Sequence, residues 1–216
     1  MLIIGAKGFA KEVLEVLDQN GRAEGNIAFY DDISKDLPTH LFEKFPILRS
    51  EEEVLKYFEA NDRDFAIGVG NPVLRYQLAA RFEALGGDLV STVSKFAHVG
   101  RFGCTIDAGC NIMTGSVLTS DIKLFEGCLI NLNCTIGHDA VIGRYVELSP
   151  GVHISGHVKV GEFTTIGTNA TVLPKVTIGK NVIIGAGSVV TKDVPDNSLV
   201  VGIPAAVKKE LPPLKL

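Results

Sequence analysis

CTIGHDAVIGRYVELSPGVHISGHVKVGEFTTIGTNATVLPKVTIGKNVIIGAGSVV, residues 134–190, repeats with a period of six. Ile136, Ile142, Leu148, Ile154, Val160, Ile166, Val172, Ile178, Ile184 and Val190 hold the register, and Ile106, Ile112, Leu118, Leu124 and Ile130 carry it backward without a slip. Two residues before each stands a small or β-branched side chain, and glycine follows directly at 137, 143, 161, 167, 179 and 185. A helix of 3.6 residues per turn cannot use a period of six, but short strands can if the chain turns a corner every six residues. Three corners close a triangular coil of 18 residues. Stacked coils pair through backbone hydrogen bonds at about 4.8 Å, and the aliphatics become columns inside a narrow prism. The expected C-terminal fold is a parallel β-helix.

Outward from this stretch the character changes. Leu2-Ile3-Ile4 reads as a short buried strand followed by Gly5-Ala6-Lys7-Gly8 and an amphipathic helix. A second strand, Ile27 to Tyr30, ends in Asp31-Asp32. After a loop, Glu51 to Ala60 is helical, Asp64 to Val69 is a third strand leading into Gly70-Asn71-Pro72, Leu74 to Leu85 is helical, and Leu89 to Val93 reads as a fourth strand. Strand and helix in alternation predict a small parallel α/β domain. Its crevice is expected at the carboxyl ends of the strands, where Gly5, Asp31, Asp32, Gly70 and Asn71 all fall. The step from Val99 to Ile106 is seven residues, one too many, so the junction belongs near residue 93. The expected organisation is an α/β domain over 1–92, the β-helix over 93–200 and a tail over 201–216 with a frayed end at Pro212 and Pro213.

The chain has 216 residues, 46% of them apolar, enough for one or two packed domains. A net charge of −4 argues against non-specific nucleic-acid binding. No apolar run approaches the roughly 18 residues that span a bilayer. Met1 leads straight into a strand and a glycine turn, which leaves no space for a signal peptide and predicts the cytoplasm. Cys104, Cys110, Cys128 and Cys134 share the small inward phase of the hexad, where cysteine serves as a small hydrophobe.

Gly5-x-x-Gly8 after a strand is an abbreviated phosphate loop: glycines let backbone approach an anion, and the next helix offers its N-terminus. A tight strand-to-helix turn is the plainer reading. Asp31-Asp32 adds weight, because carboxylates at that strand end can accept bonds from a ribose or a base.

The hexad resembles the left-handed β-helix of hexapeptide-repeat acyltransferases, and its handedness is taken from that resemblance, since ordinary parallel crossovers are right-handed. The strand–GxxG–helix opening, the acidic pair, Gly70-Asn71 and Ile136-Gly137-His138-Asp139 together resemble one branch: nucleotide-sugar N-acetyltransferases of 4-amino-4,6-dideoxyhexoses and the related sialic acid O-acetyltransferases. The resemblance implies a homotrimer that uses acetyl-CoA and no metal. It implies that Gly5, Gly8, Asp31, Asp32, Gly70, Asn71 and Asn131 serve the sugar nucleotide, although Asn131 equally suits a turn cap. It implies that His138 is the base, oriented by Asp139, and that Gly156 contacts acetyl-CoA. Some members carry histidine where this chain has Phe9, so a contact made by that imidazole is lacking.

Coil arithmetic adds to this. Eighteen residues beyond His138 lies Gly156, whose N–H suits a thioester oxygen gaining charge, and His157 falls over Asp139, paired with it or solvated at its corner; Gly156 and His157 are the residues expected to bind acetyl-CoA. A zinc hydratase would want three converging histidines, but His138, His153 and His157 occupy different phases of the coil. Two other readings stay open: O-acetylation of a sialic acid, and a silent trimeric scaffold, because a repeat fold does not fix a reaction.

Overall fold

The computed structural model describes residues 1–23 and 26–216. The N-terminal part builds a six-stranded sheet in the order β3-β4-β2-β1-β5-β6. Its strands are β1 (Leu2–Ile4), β2 (Ala28–Tyr30), β3 (His40–Leu41), β4 (Phe45–Leu48), β5 (Asp64–Ile67) and β6 (Asp88–Leu89), parallel except for the β3–β4 pair. Side chains alternate across it. Ile3, Phe29 and Ala66 pack under helix α1 (Gly8–Gln19) through Ala10, Val13, Leu14 and Leu17. Leu2, Ile4, Tyr30, Phe65 and Ile67 face helices α2 (Glu51–Ala60) and α3 (Pro72–Ala84) through Val54, Phe58, Ala79 and Phe82. Burial on both faces is why these strands read as unbroken apolar runs.

Two departures from the sequence reading follow from local chemistry. The expected loop before α2 holds the β3–β4 hairpin, whose turn rests on Phe42 and Glu43, both left-handed (φ 51° and 57°). Neither residue type advertises such a turn as Asn-Gly would. The expected strand Leu89–Val93 is two strands: Leu89 closes the first sheet, and Thr92–Val93 opens the prism by pairing with Asn111–Ile112.

The prism has three faces of two-residue strands. The first runs from Thr92–Val93 through Asn111–Ile112, Leu129–Ile130, Glu147–Leu148 and Thr165–Ile166 to Ile183–Ile184. The second includes Thr135–Ile136 and His153–Ile154, the third Val141–Ile142 and Lys159–Val160. Each strand pairs with the one 18 residues on, and the aliphatic columns form one buried core. The corners obey a rule of their own. The third residue after each inward aliphatic from Ile106 to Ile184 is left-handed, as at Asn133, Asp139, Tyr145, His157, Phe163 and Asn169. Asparagine, aspartate and glycine are favoured there because their steric penalty is smallest.

The tail is ordered into the structure. Ser198–Gly202 joins the first face, and Ala205–Glu210 folds back antiparallel on it. Beyond them the Leu211 N–H donates to the Asn197 carbonyl, and Asn181 Nδ2 to the carbonyl of Pro212.

The α/β part docks on the first face and on the corner between the third and first faces. Tyr76 of α3 meets Tyr145 and Phe163 edge-on, at centroid distances of 5.4 and 5.8 Å. Beside them Arg75 is fully buried. Its Nε and Nη2 donate to the Gly127 carbonyl (3.1 and 3.0 Å), Nη2 also to Asn111 Oδ1 (2.9 Å), and Nη1 to the Val69 carbonyl (3.0 Å). One guanidinium therefore bolts α3 to two coils of the prism. Burial pulls its pKa down to about 10, still far above neutrality, so it stays a cation.

Candidate functional site

Two crevices open at the carboxyl ends of β1, β2 and β5, as the parallel topology predicts. The larger, about 410 Å³, lies among Gly5, Tyr30, Asp31, Asp32, Val69 and one face of α3. That face is Leu74, Gln77, Leu78 and Arg81, spaced i, i+3, i+4, i+7. In the sequence this stripe shows only a helical spacing, with nothing to mark it as the wall of a crevice. Arg81 organises the polar end: Nη1 donates to Asp32 Oδ2 (3.1 Å), Nη2 to the Tyr30 hydroxyl (2.8 Å) and Nε to Glu51 Oε1 (2.9 Å). The Tyr30 hydroxyl donates in turn to Asp32 Oδ2 (2.8 Å). Burial pushes the Asp32 carboxyl upward, but the bonds from Tyr30 and Arg81 outweigh it and hold the group below its ordinary pKa. Burial, reinforced by that carboxylate, pushes the Tyr30 phenol up to about 12. Both groups keep their charge states through the physiological range, and Asp32 Oδ1 is left free of these bonds.

Asp31 does something different. Its Oδ1 accepts from the N–H groups of Ile33 (3.1 Å) and Ser34 (2.8 Å), closing an Asx turn. Arg49 braces the same turn through the carbonyls of Asp31 and Ser34, both at 2.8 Å.

The second crevice, about 270 Å³, is lined by Gly5, Lys7, Gly8, Phe9, Asp31 and Gly70. Gly5 sits at φ 105°, and a Cβ there would meet the Gly68 carbonyl at 3.0 Å, so only glycine serves. α1 begins at Gly8 with no side chain capping its first turn. Its free N–H groups and dipole suit an anion. Asn71 lines neither crevice: its Oδ1 accepts from the Leu74 N–H (3.0 Å) and caps α3. Asn131 Oδ1 likewise accepts from the Leu132 N–H (2.7 Å).

His138 stands elsewhere, at the corner between the second and third faces. Its Nδ1 lies 2.7 Å from Asp139 Oδ2, so the carboxylate accepts a hydrogen bond from Nδ1–H and leaves Nε2 as the unprotonated nitrogen. That bond, with the His157 ring nearby, holds the exposed Asp139 carboxyl below its ordinary pKa. His157 Nδ1 is 3.8 Å from the same oxygen, and the two imidazoles meet edge to face at 5.0 Å. These three side chains bring a potential ligand atom each to within 4.8 Å of one another. His153 points away from them and shares a hydrogen bond with Thr135 Oγ1 (2.8 Å). Gly156 lies one coil from His138, and the Gly156 N–H has no backbone acceptor among the described residues.

Within one chain, then, Gly5, Gly8, Asp31, Asp32 and Gly70 share two adjoining crevices, and His138, Asp139, Gly156 and His157 share a prism corner. Neither crevice includes His138. No helix among the described residues is long and apolar enough to cross a membrane.

Comparison with known proteins finds matches to both parts of the chain. The family model for the PglD N-terminal domain matches residues 1–82, and that for the bacterial transferase hexapeptide (six repeats) matches residues 157–192. A histidine-to-asparagine variant of perosamine N-acetyltransferase from Caulobacter crescentus, in complex with CoA and GDP-perosamine, is 29% identical with a TM-score of 0.89, over 97% of this chain and 96% of that one. The acetyltransferase domain of PglB from Neisseria gonorrhoeae, in complex with acetyl coenzyme A, is 30% identical with a TM-score of 0.85, over 96% and 98%. WeeI from Acinetobacter baumannii is 30% identical with a TM-score of 0.86, over the same shares. No match was found among curated proteins.

Proposed function

Since the chain belongs to the hexapeptide-repeat sugar acetyltransferases, we propose that it moves an acetyl group from acetyl-CoA to the 4-amino group of a nucleotide-linked 4-amino-4,6-dideoxy sugar. The observation that carries this reading is the His138–Asp139 bond, which points a free Nε2 at the gap left by Gly156. The neutral amine attacks the thioester carbonyl carbon. His138 Nε2 takes the amine proton as the C–N bond forms, which stops an ammonium intermediate from reverting, and returns it to the departing thiolate as the C–S bond breaks. Asp139 keeps the proton on Nδ1 and steadies the imidazolium. The Gly156 N–H faces the oxygen as it gains charge, with His157 beside it at the acetyl-CoA end. Holding both substrates in one cleft supplies proximity, and no acyl-enzyme is required.

The sugar nucleotide is assigned to the α/β part: base against Tyr30, Asp32 and the α3 stripe, diphosphate at Gly5, Gly8 and the α1 N-terminus, sugar toward Gly70. A homotrimer in the cytoplasm belongs to the same proposal. The support for the trimer is geometric: His138 occupies one corner of the prism, while the α/β part docks on the opposite face and another corner. A sugar leaving the crevice reaches an imidazole most directly on a second copy. Thiol release from acetyl-CoA, followed with GDP-perosamine and dTDP-4-amino-4,6-dideoxyglucose as acceptors, tests the reading. Free sialic acid and a His138→Asn variant serve as controls. Turnover with sialic acid alone, or undiminished turnover in the variant, overturns it.

A further inference from the structure

One carboxylate of the prism stands at the glycine crevice with no role in the scheme above. Glu147 is the outward member of its two-residue strand, its neighbour Leu148 being turned into the core. A Cβ built on Gly70 would lie 3.7 Å from Glu147 Oε1 and 3.8 Å from Oε2, with nothing nearer. The carboxylate thus sits just beyond the end of β5, against Gly70, which itself lines the crevice with Gly5, Gly8 and Asp31.

Glu147 is half-buried, and burial raises its pKa against the pull of Arg75 and Ser149. Arg75 is the nearby strong cation, but its hydrogen bonds go to backbone carbonyls and Asn111, and no ion pair among the described residues includes either group. A half-buried carboxylate without a bonded cation is costly. Position narrows what would satisfy it. The two crevices share Gly5, Asp31 and Val69, whereas Gly70 lines only the second. An extended nucleotide sugar with its base in the first crevice and its diphosphate at Gly8 therefore ends at Gly70. The diphosphate is repelled by a carboxylate, but an amino sugar carries the one cationic group such a ligand has. A hydrogen bond with charge on both partners is roughly twice as strong as a neutral one.

We propose that Glu147 is a specificity-determining residue that receives the sugar amine in its protonated form as the ligand binds, the amine giving its extra proton to solvent before it attacks as the neutral group, and so separates 4-amino from 4-hydroxy sugar nucleotides. This rests on the assignment of the crevices to a sugar nucleotide. It carries a corollary: the acetylated product has lost the cation, so Glu147 grips substrate but not product.

Calorimetric titration without acetyl-CoA tests it, using wild type and Glu147→Gln. GDP, UDP and dTDP are titrated first. The carrier that binds is then compared as its 4-amino-4,6-dideoxyhexose, the 4-hydroxy counterpart and the 4-acetamido product. The expected result is that Glu147→Gln weakens the amino sugar nucleotide by about tenfold or more, the range of a charge-assisted bond, and leaves the other three ligands within about twofold. Thermal unfolding of the variant, and a Glu147→Asp variant that restores part of the preference, separate this from a folding defect. Equal losses for every ligand would mean that Glu147 merely balances Arg75, and an unchanged amino sugar affinity would also overturn the proposal. If no nucleoside diphosphate binds the wild type, the crevice assignment itself fails and this inference falls with it.

Discussion

Gly156 and His138 fit as gap and ring: a Cβ added at Gly156 would lie 2.7 Å from His138 Nε2 and 2.8 Å from Cε1. Gly156 does not need glycine for its backbone, since its φ is not in the left-handed region. Gly156→Ala is therefore expected to fold and to push the imidazole aside. A displacement near 1 Å at a reacting group costs about a hundredfold in rate. Steady-state assays should show kcat down by roughly that factor with the melting temperature within a few degrees of wild type. Unchanged kcat would mean that the ring does not work from this position.

His138→Asn removes the base and keeps a planar, polar side chain of which one atom can still hydrogen-bond where Nδ1 stood. General base catalysis contributes about 10² to 10⁴, so kcat should fall within that range with assembly intact. Asp139→Asn should cost less, because it disturbs the tautomer but leaves the base. If His138→Asn keeps more than about a third of wild-type turnover, well short of the expected loss, His157 is the next candidate, since it reaches the same carboxylate oxygen at 3.8 Å.

The prism was legible because it is quasi-one-dimensional. Each inward aliphatic meets only its own coil and the two beside it, so a local period fixes the core, and the 18-residue step pairs Ile136 with Ile154 and sets Gly156 against His138. The α/β strands were legible for a similar reason, being short apolar runs ending in glycine or acid. What the sequence concealed depends on docking. Arg75 reads as a solvent-facing charge on a helix of weak amphipathicity, and only contact with the prism buries it. Glu147 reads as the polar outer member of a hexad until Gly70 is brought against it. The left-handed third position of each corner left a trace in Asn133, Asn169 and Asn181, which the six-residue glycine pattern overshadowed.

The Tyr30–Asp32–Arg81 cluster makes a prediction about pH. A carboxyl whose folded pKa is depressed stabilises the folded arrangement above its unfolded pKa, about 3.9 for aspartate. That contribution disappears as pH falls through the lowered folded value. The contribution of this cluster to the sugar-nucleotide KM should therefore stay flat from about pH 5 to 8 and disappear only in stronger acid. Arg81→Ala should raise that KM about tenfold or more, near 1.4 kcal/mol, and leave the acetyl-CoA KM unchanged. Equal effects on both substrates would mark the cluster as structural. Asp31→Ala should behave differently from Asp32→Asn, because Asp31 spends Oδ1 on its own turn.

Assembly is checked by light scattering in dilute buffer, where the proposed homotrimer should report three times the chain mass. A stable monomer with full activity would sink the shared cleft, because His138 and the two crevices do not meet within one chain.

Arg75 tests how firmly the two parts are joined. Its guanidinium donates to Gly127, Val69 and Asn111 at once, a spread that a planar fork spans and a lysine ammonium does not. Arg75→Met keeps much of the volume and removes every donor, leaving buried acceptors unpaired at about 1–3 kcal/mol each. Arg75→Lys keeps the charge and loses the fork. Both should lower stability by about 3 kcal/mol or more, roughly 6–12 °C in a chain of this size. The prism core does not include Arg75, so the loss should be confined to docking. Calorimetry should then resolve one wild-type transition into two, with the prism melting last. The crevices should loosen against Glu147 at the same time, raising KM for the sugar nucleotide more than kcat falls. A variant with a single unshifted transition would show that the stacked Tyr76, Tyr145 and Phe163 rings hold the two parts together without the guanidinium.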